Sequence, residues 1–223
     1  MADAWRKLVA EFVGTAFLLV AVVGSGIMGA KLSAGNDAIA LLANSLATGG
    51  ALVALIGAFG PVSGAHFNPA VTIFEMIGGR LSIRLAALYI PTQVAGAVCG
   101  AVVAHAMFGL ELIQASHHVR ASVGELIGEI VATLGLLLTI WGVARSRPEA
   151  VPAAVAAYIV GAYWFTSSTS FANPAVTVAR SLSDTFAGIA PASVLGFIAA
   201  QAVGVVLALL VTSSLGGKQR HSD

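Results

Sequence analysis

The sequence predicts an all-α membrane protein built from six transmembrane helices plus two re-entrant half-helices, arranged as an inverted repeat. Three observations carry that expectation. Charged residues make up 9% of the 223, apolar ones 58%, and the mean hydropathy is +0.93; soluble domains carry about 25% charge. Apolar runs of spanning length, about 20 residues each, are separated by short polar loops. Three short motifs from the first half recur, in order, in the second.

Span one is expected at about 8–30. Arg6 and Lys7 before an apolar run resemble a cleavable leader, but Glu11 lies inside the run and further spans follow, so it reads as a membrane helix. Span two covers about 38–59 after the polar loop Lys31–Asp37, and span three about 82–107. The segment Leu112–Arg120 is a loop; spans four and five, about 122–144 and 151–168, flank Arg145–Glu149. Span six covers about 190–214. Two stretches, about 69–78 and 174–183, are apolar but too short to cross. Each opens with proline, favoured at the first helical position, behind an asparagine, a good N-cap. They read as half-helices.

The repeat is explicit. Glu11-x-x-x-Thr15 returns as Glu129-x-x-x-Thr133, Asn68-Pro69-Ala70-Val71-Thr72 as Asn173-Pro174-Ala175-Val176-Thr177, and Gln93-x-x-Gly96 as Gln201-x-x-Gly204, at offsets of 118, 105 and 108. Three spans per half invert the second copy, giving one transmembrane domain over 1–223 with repeats at about 8–107 and 122–215. With six spans, Arg6, Lys7, Arg80, Arg84, Arg145, Arg147, Lys218 and Arg220 share one side, while Lys31, Arg120 and Arg180 lie on the other. The positive-inside rule then puts both termini in the cytoplasm.

A half-helix that stops at mid-membrane leaves N–H groups that lipid cannot satisfy. Two inverted copies meeting N-terminus to N-terminus beside a water-filled path resolve this. Each end carries roughly half a positive charge, which repels cations and admits neutral solutes. Asn68 and Asn173 can cap their helices and offer an amide N–H to a passing oxygen. Glu11 and Glu129 are costly charges within spans. A coupling-ion site is one reading; acceptance of hydrogen bonds from the re-entrant loop of the same half is the favoured one. For His66, satisfying loop backbone groups is favoured over pH gating. Gln93 and Gln201 read as helix-packing glue near glycines.

At these residues the chain resembles the aquaporin, or major intrinsic protein, superfamily over about residues 8–215. The resemblance rests on Ser63-Gly64-Ala65-His66-Phe67-Asn68-Pro69-Ala70-Val71-Thr72, the second Asn-Pro-Ala and both Glu-x-x-x-Thr elements. It implies a right-handed bundle with one pore per subunit, usually a homotetramer. It also implies a selectivity ring, counted from the two asparagines, at Thr48, Gly161, Ser170 and Val176. Most relatives place arginine at the last position and aromatics at one or two others, so this ring is expected to be wide and uncharged. With Val176 there, cation repulsion would rest mainly on the half-helix dipoles.

Arg180 lies one turn beyond Val176 on the same face, about 6 Å further out. It either restores a positive charge in a wider vestibule or pairs Asp184 at i+4 as an exposed side chain; the two readings are evenly balanced. The inverted copy places Val71 and Glu75 toward the inner mouth. The filter and the stretch Ser170–Leu182 resemble a bacterial subgroup associated with arsenic-resistance operons. That resemblance implies conduction of trivalent arsenic, as neutral, polyol-like arsenous acid, with methylated arsenicals also admissible.

The expected function is passive conduction of small uncharged solutes through a plasma (inner) membrane: metalloid hydroxides first, glycerol and water beside them. The alternatives are a general water/glycerol facilitator and, in a different class, a secondary transporter. An intramembrane enzyme finds no His/Glu metal spacing or Ser/His pair to support it. No cofactor, metal or nucleic acid is implied; the net charge is +1. Cys99 alone permits neither an intrachain disulfide nor a cysteine metal cluster, and it is expected to be buried by packing.

Overall fold

The computed structural model describes residues 2–215; Lys218 and Arg220 lie outside them. The order is α1 (Ala2–Leu32), α2 (Asp37–Ser63), α3 (Pro69–Ile77), α4 (Ile83–Phe108), α5 (Val123–Ser146), a 3-10 turn (Pro148–Ala150), α6 (Val151–Phe165), α7 (Pro174–Arg180) and α8 (Pro191–Leu215). The architecture is all-helical, with six long helices and two half-helices, α3 and α7. By length and composition α1, α2, α4, α5 and α8 can each cross a membrane. The sixth, α6, has 15 residues, about 22 Å of rise.

Local chemistry sets the ends. Asn36 caps α2 by accepting from the N–H groups of Ala38 and Ile39. Ser82 caps α4, and Ser122 with Glu125 forms a capping box on α5. Four boundaries differ from expectation. Helix α1 begins at Ala2 rather than about 8, so the polar segment with Arg6 and Lys7 is helical too. Helix α2 runs four residues past 59, because Pro61 is accommodated and the chain turns only at left-handed Gly64 (φ 87°). Helix α6 stops at Phe165 rather than 168, where Thr166 goes extended (φ −109°, ψ 139°). Helix α7 stops at Arg180 rather than 183: Ser181, Leu182 and Ser183 donate to carbonyls three residues back, the tighter pattern of a helix ending.

The halves pack alike. Helix α1 lies against α2 and α4, α5 against α6 and α8, while α2–α6, α4–α7 and α3–α8 contacts join the halves. Close approach needs glycine at the repeated position: a Cβ on Gly96 would stand 2.5 Å from the Phe12 carbonyl oxygen, and one on Gly204 2.9 Å from that of Ile130. Cys99 is exposed, not buried by packing as expected. It is one residue, about 100° of rotation, from Gly100, whose face of α4 is taken by the α1 backbone.

Candidate functional site: a cavity past two half-helix ends

The re-entrant loops before α3 and α7 are built alike. Gly64, Ala65 and Phe67 have left-handed backbones, as do Thr169, Ser170 and Ala172, each 105 residues later. Five of the six are not glycine, and each such conformation costs about 1–2 kcal/mol. The buried carboxylates supply the compensating bonds. Glu11 accepts from the backbone N–H of His66 (3.0 Å) and Phe67 (2.7 Å), from Ser63 Oγ (2.6 Å) and from Gln93 Nε2 (2.8 Å). Glu129 accepts from the N–H of Phe171 (2.8 Å) and Ala172 (2.9 Å) and from Gln201 Nε2 (2.6 Å).

Gln93 and Gln201 are therefore more than packing. Each also donates to the threonine of its own half-helix, Thr72 or Thr177, at 2.9 Å, tying span, loop and half-helix together. The glutamines recur with the glycines at one offset, and the threonines with the asparagines; that register was the signal available in the sequence. His66 does not satisfy loop backbone: its Nδ1 lies 3.1 Å from Thr72 Oγ1, its ring packs edge-on to Tyr89, and it borders an internal cavity.

The half-helix ends meet through their caps. Asn68 Oδ1 accepts from the Ala70 N–H, and Asn173 Oδ1 from those of Ala175 and Val176. Across the interface Asn68 Nδ2 donates to the Ala172 carbonyl and Asn173 Nδ2 to the Phe67 carbonyl, both at 2.8 Å. A primary amide has two N–H groups, so each asparagine keeps one beyond this crossed pair. Both asparagines line a cavity of about 830 Å³; Pro69 and Pro174 open the half-helices behind them, with Ala70 and Ala175 buried.

Arg80, Arg145 and Arg180 line that cavity together with both asparagines. Its lining combines polar residues of the loops, among them His66, Asn68, Ser170 and Asn173, with aliphatic ones such as Leu18, Leu52, Leu136 and Ile159. Thr48, Ser170 and Val176 of the expected ring border it. Gly161 is not among the lining residues: α6 presents Val151, Val155, Ile159 and Tyr163 at intervals of four. Gly161 stands two residues, about 200° of rotation, from both Ile159 and Tyr163. Tyr163, missed in the sequence reading, takes the place beside Thr48, hydroxyl to hydroxyl at 3.2 Å. The Ser170 hydroxyl is buried without a protein partner.

Glu75 pairs with Arg80 (2.6 and 3.0 Å), and both border the cavity. Arg180 is 2% exposed and does not pair with Asp184. Because α7 ends at Arg180, helical i+4 spacing does not continue to Asp184, which instead accepts from the His117 backbone N–H and sits 2.9 Å from its ring Nδ1. Those two contacts, the backbone one first, hold the Asp184 carboxyl below the ordinary aspartate range. The Arg180 Nε donates to the Ala187 carbonyl, and its guanidinium carbon lies 3.4 Å from the centre of the Phe171 ring.

A membrane bundle whose two half-helices meet cap to cap beside such a cavity defines a transmembrane channel. The chain belongs to the major intrinsic protein family: the model of that family matches residues 1–170. It is 51% identical to the aquaglyceroporin AqpS of Rhizobium meliloti (strain 1021) over 207 residues, covering 93% of this chain and 88% of that protein. It is 34% identical over 164 residues to a probable TIP-type alpha aquaporin of Phaseolus vulgaris, covering 71% and 64%. The X-ray structure of the aquaglyceroporin from Plasmodium falciparum superimposes with a TM-score of 0.79 at 20% identity, covering 96% and 97%, a likeness of fold.

Proposed function

We propose that the chain is a passive channel for small uncharged solutes, chiefly arsenous acid and related metalloid hydroxides, with glycerol and water. The carrying observation is Val176, which borders the cavity where the resemblance expects a filter arginine. Without that side chain the ring is wider and loses a cation and its fixed donors. The cavity lining mixes loop polar groups with aliphatic side chains, which suits a solute with hydroxyl groups on a compact body. Similarity to an aquaglyceroporin supports glycerol; arsenous acid shares its neutral, polyhydroxy character.

The whole chain acts as one channel domain in this reading, as a homotetramer in a plasma (inner) membrane with both termini cytoplasmic. Arg80 and Arg145, which line the cavity, belong to the larger group of basic residues that the positive-inside rule assigns to the cytoplasm. Glu11 and Glu129 brace the loops. Their carboxylates are taken up by loop and glutamine donors, which disfavours a coupling-ion site and the secondary-transporter class. The test is stopped-flow light scattering on purified protein in liposomes, comparing water, glycerol, urea and arsenous acid. Glycerol and arsenous acid flux above that of empty liposomes, unaffected by proton or sodium gradients, supports the channel; water flux alone counts against the solute assignment.

A further inference from the structure

We infer that Arg180 is the charge filter of this channel, a cation set one helical turn outward from an uncharged constriction. The inference deepens the channel reading above and rests on it. Arg180 ends α7, where a positive side chain complements the helix dipole. The surrounding loop is stitched around it: Ser183 and Ile189 donate to its carbonyl, and its Nε donates to Ala187. One face of the guanidinium lies on the Phe171 ring, and the residue borders the cavity.

Its charge has no acidic partner among the described residues. The nearby carboxylates are committed elsewhere, Glu129 to the re-entrant loop and Gln201, Asp184 to His117. Arg120 adds a second cation, 5.3 Å from the same Phe171 ring, with its Nε on the Gly188 carbonyl. A fold that needed only a packing post here would gain by supplying a carboxylate, because an unpaired buried charge is costly. Two arginines around one ring keep the outer mouth positive. Cations meet that field before they reach the dipoles of α3 and α7, while a neutral solute passes Val176 without a guanidinium narrowing the ring.

The decisive experiment compares wild-type protein with Arg180→Gln and Arg180→Lys in liposomes. Proton and potassium leak are read by an entrapped pH dye and by reversal potential in planar bilayers, with glycerol and arsenous acid flux measured on the same preparations. Arg180→Gln should raise the ratio of cation leak to glycerol flux about tenfold, the order expected of removing one charge near a low-dielectric path. Arg180→Lys should restore exclusion. Should Arg180→Gln conduct solutes at wild-type rates with unchanged leak, the charge-filter role is overturned. If Arg180→Gln and Arg180→Lys leak equally, shape rather than charge governs the mouth and the inference fails too. Absence of solute flux in the wild type would instead overturn the channel reading itself.

Discussion

Asn68 and Asn173 each cap their own half-helix and each donate to the other half's loop, Asn68 to the Ala172 carbonyl and Asn173 to the Phe67 carbonyl, both at 2.8 Å. The crossed pair turns two half-helix ends into one rigid junction. The accepting carbonyls belong to left-handed residues, so the strained loops and the caps hold each other in place.

Replacing Asn173 with Asp removes the donor to Phe67 and sets a carboxylate against two helix N-termini. A lost buried bond of this kind costs about 1–3 kcal/mol. Cation leak should rise, since the negative charge offsets both dipoles. Bilayer reversal potentials measure it, and an unchanged potential would count against the electrostatic role of the half-helices.

Val176→Arg should put a guanidinium into the cavity that Thr48 and Tyr163 also border. Glycerol flux is expected to fall roughly tenfold, with water flux reduced less. Stopped-flow rates for the two solutes on one preparation decide this; an equal loss points to misfolding.

The glutamates should matter through loop stability. Glu129→Gln loses a charged acceptor and turns an amide toward the N–H groups of Phe171 and Ala172, costing about 2–4 kcal/mol. Glu11→Gln should cost a similar amount, because Glu11 takes up the equivalent donors of its own half. Thermal unfolding in detergent reads both, and a melting temperature equal to wild type would remove the bracing role.

Gly96→Val drives a side chain into the Phe12 carbonyl and should destabilise by about 1–3 kcal/mol. Gly57→Ala, where no atom lies within 4 Å of the added methyl, should be neutral or stabilising by up to about 1 kcal/mol. Paired melting curves separate close helix approach from helix propensity.

Asp184 gives a pH dependence with a definite sign. Its folded carboxyl titrates below the ordinary value of about 3.9, held there by the His117 contacts. Its stabilising contribution is complete above that value and is lost as pH falls through the lower folded one. Hydrogen exchange at the His117 amide should therefore speed up only in strong acid, and Asp184→Asn should abolish the step.

Much of this was legible in the chain. Composition dictates a membrane bundle, because so few charges cannot cover a soluble surface. Asparagine before proline marks a capped helix start wherever it occurs, and the offset of 105 between the two copies is mirrored in three matched pairs of left-handed residues. Those features are local or periodic, so they survive without coordinates. Tertiary structure alone decided which side of α6 faces the cavity, putting Tyr163 there and turning Gly161 away. At 100° per residue, a count wrong by two positions inverts a helix face. It also decided that α7 ends at Arg180, which releases that side chain from Asp184 and lays it on Phe171. Where a short helix stops depends on the loops packed around its last turn, and these come from segments far apart in the chain: Gln114 and Ser116 donate to Leu182 and Ser181.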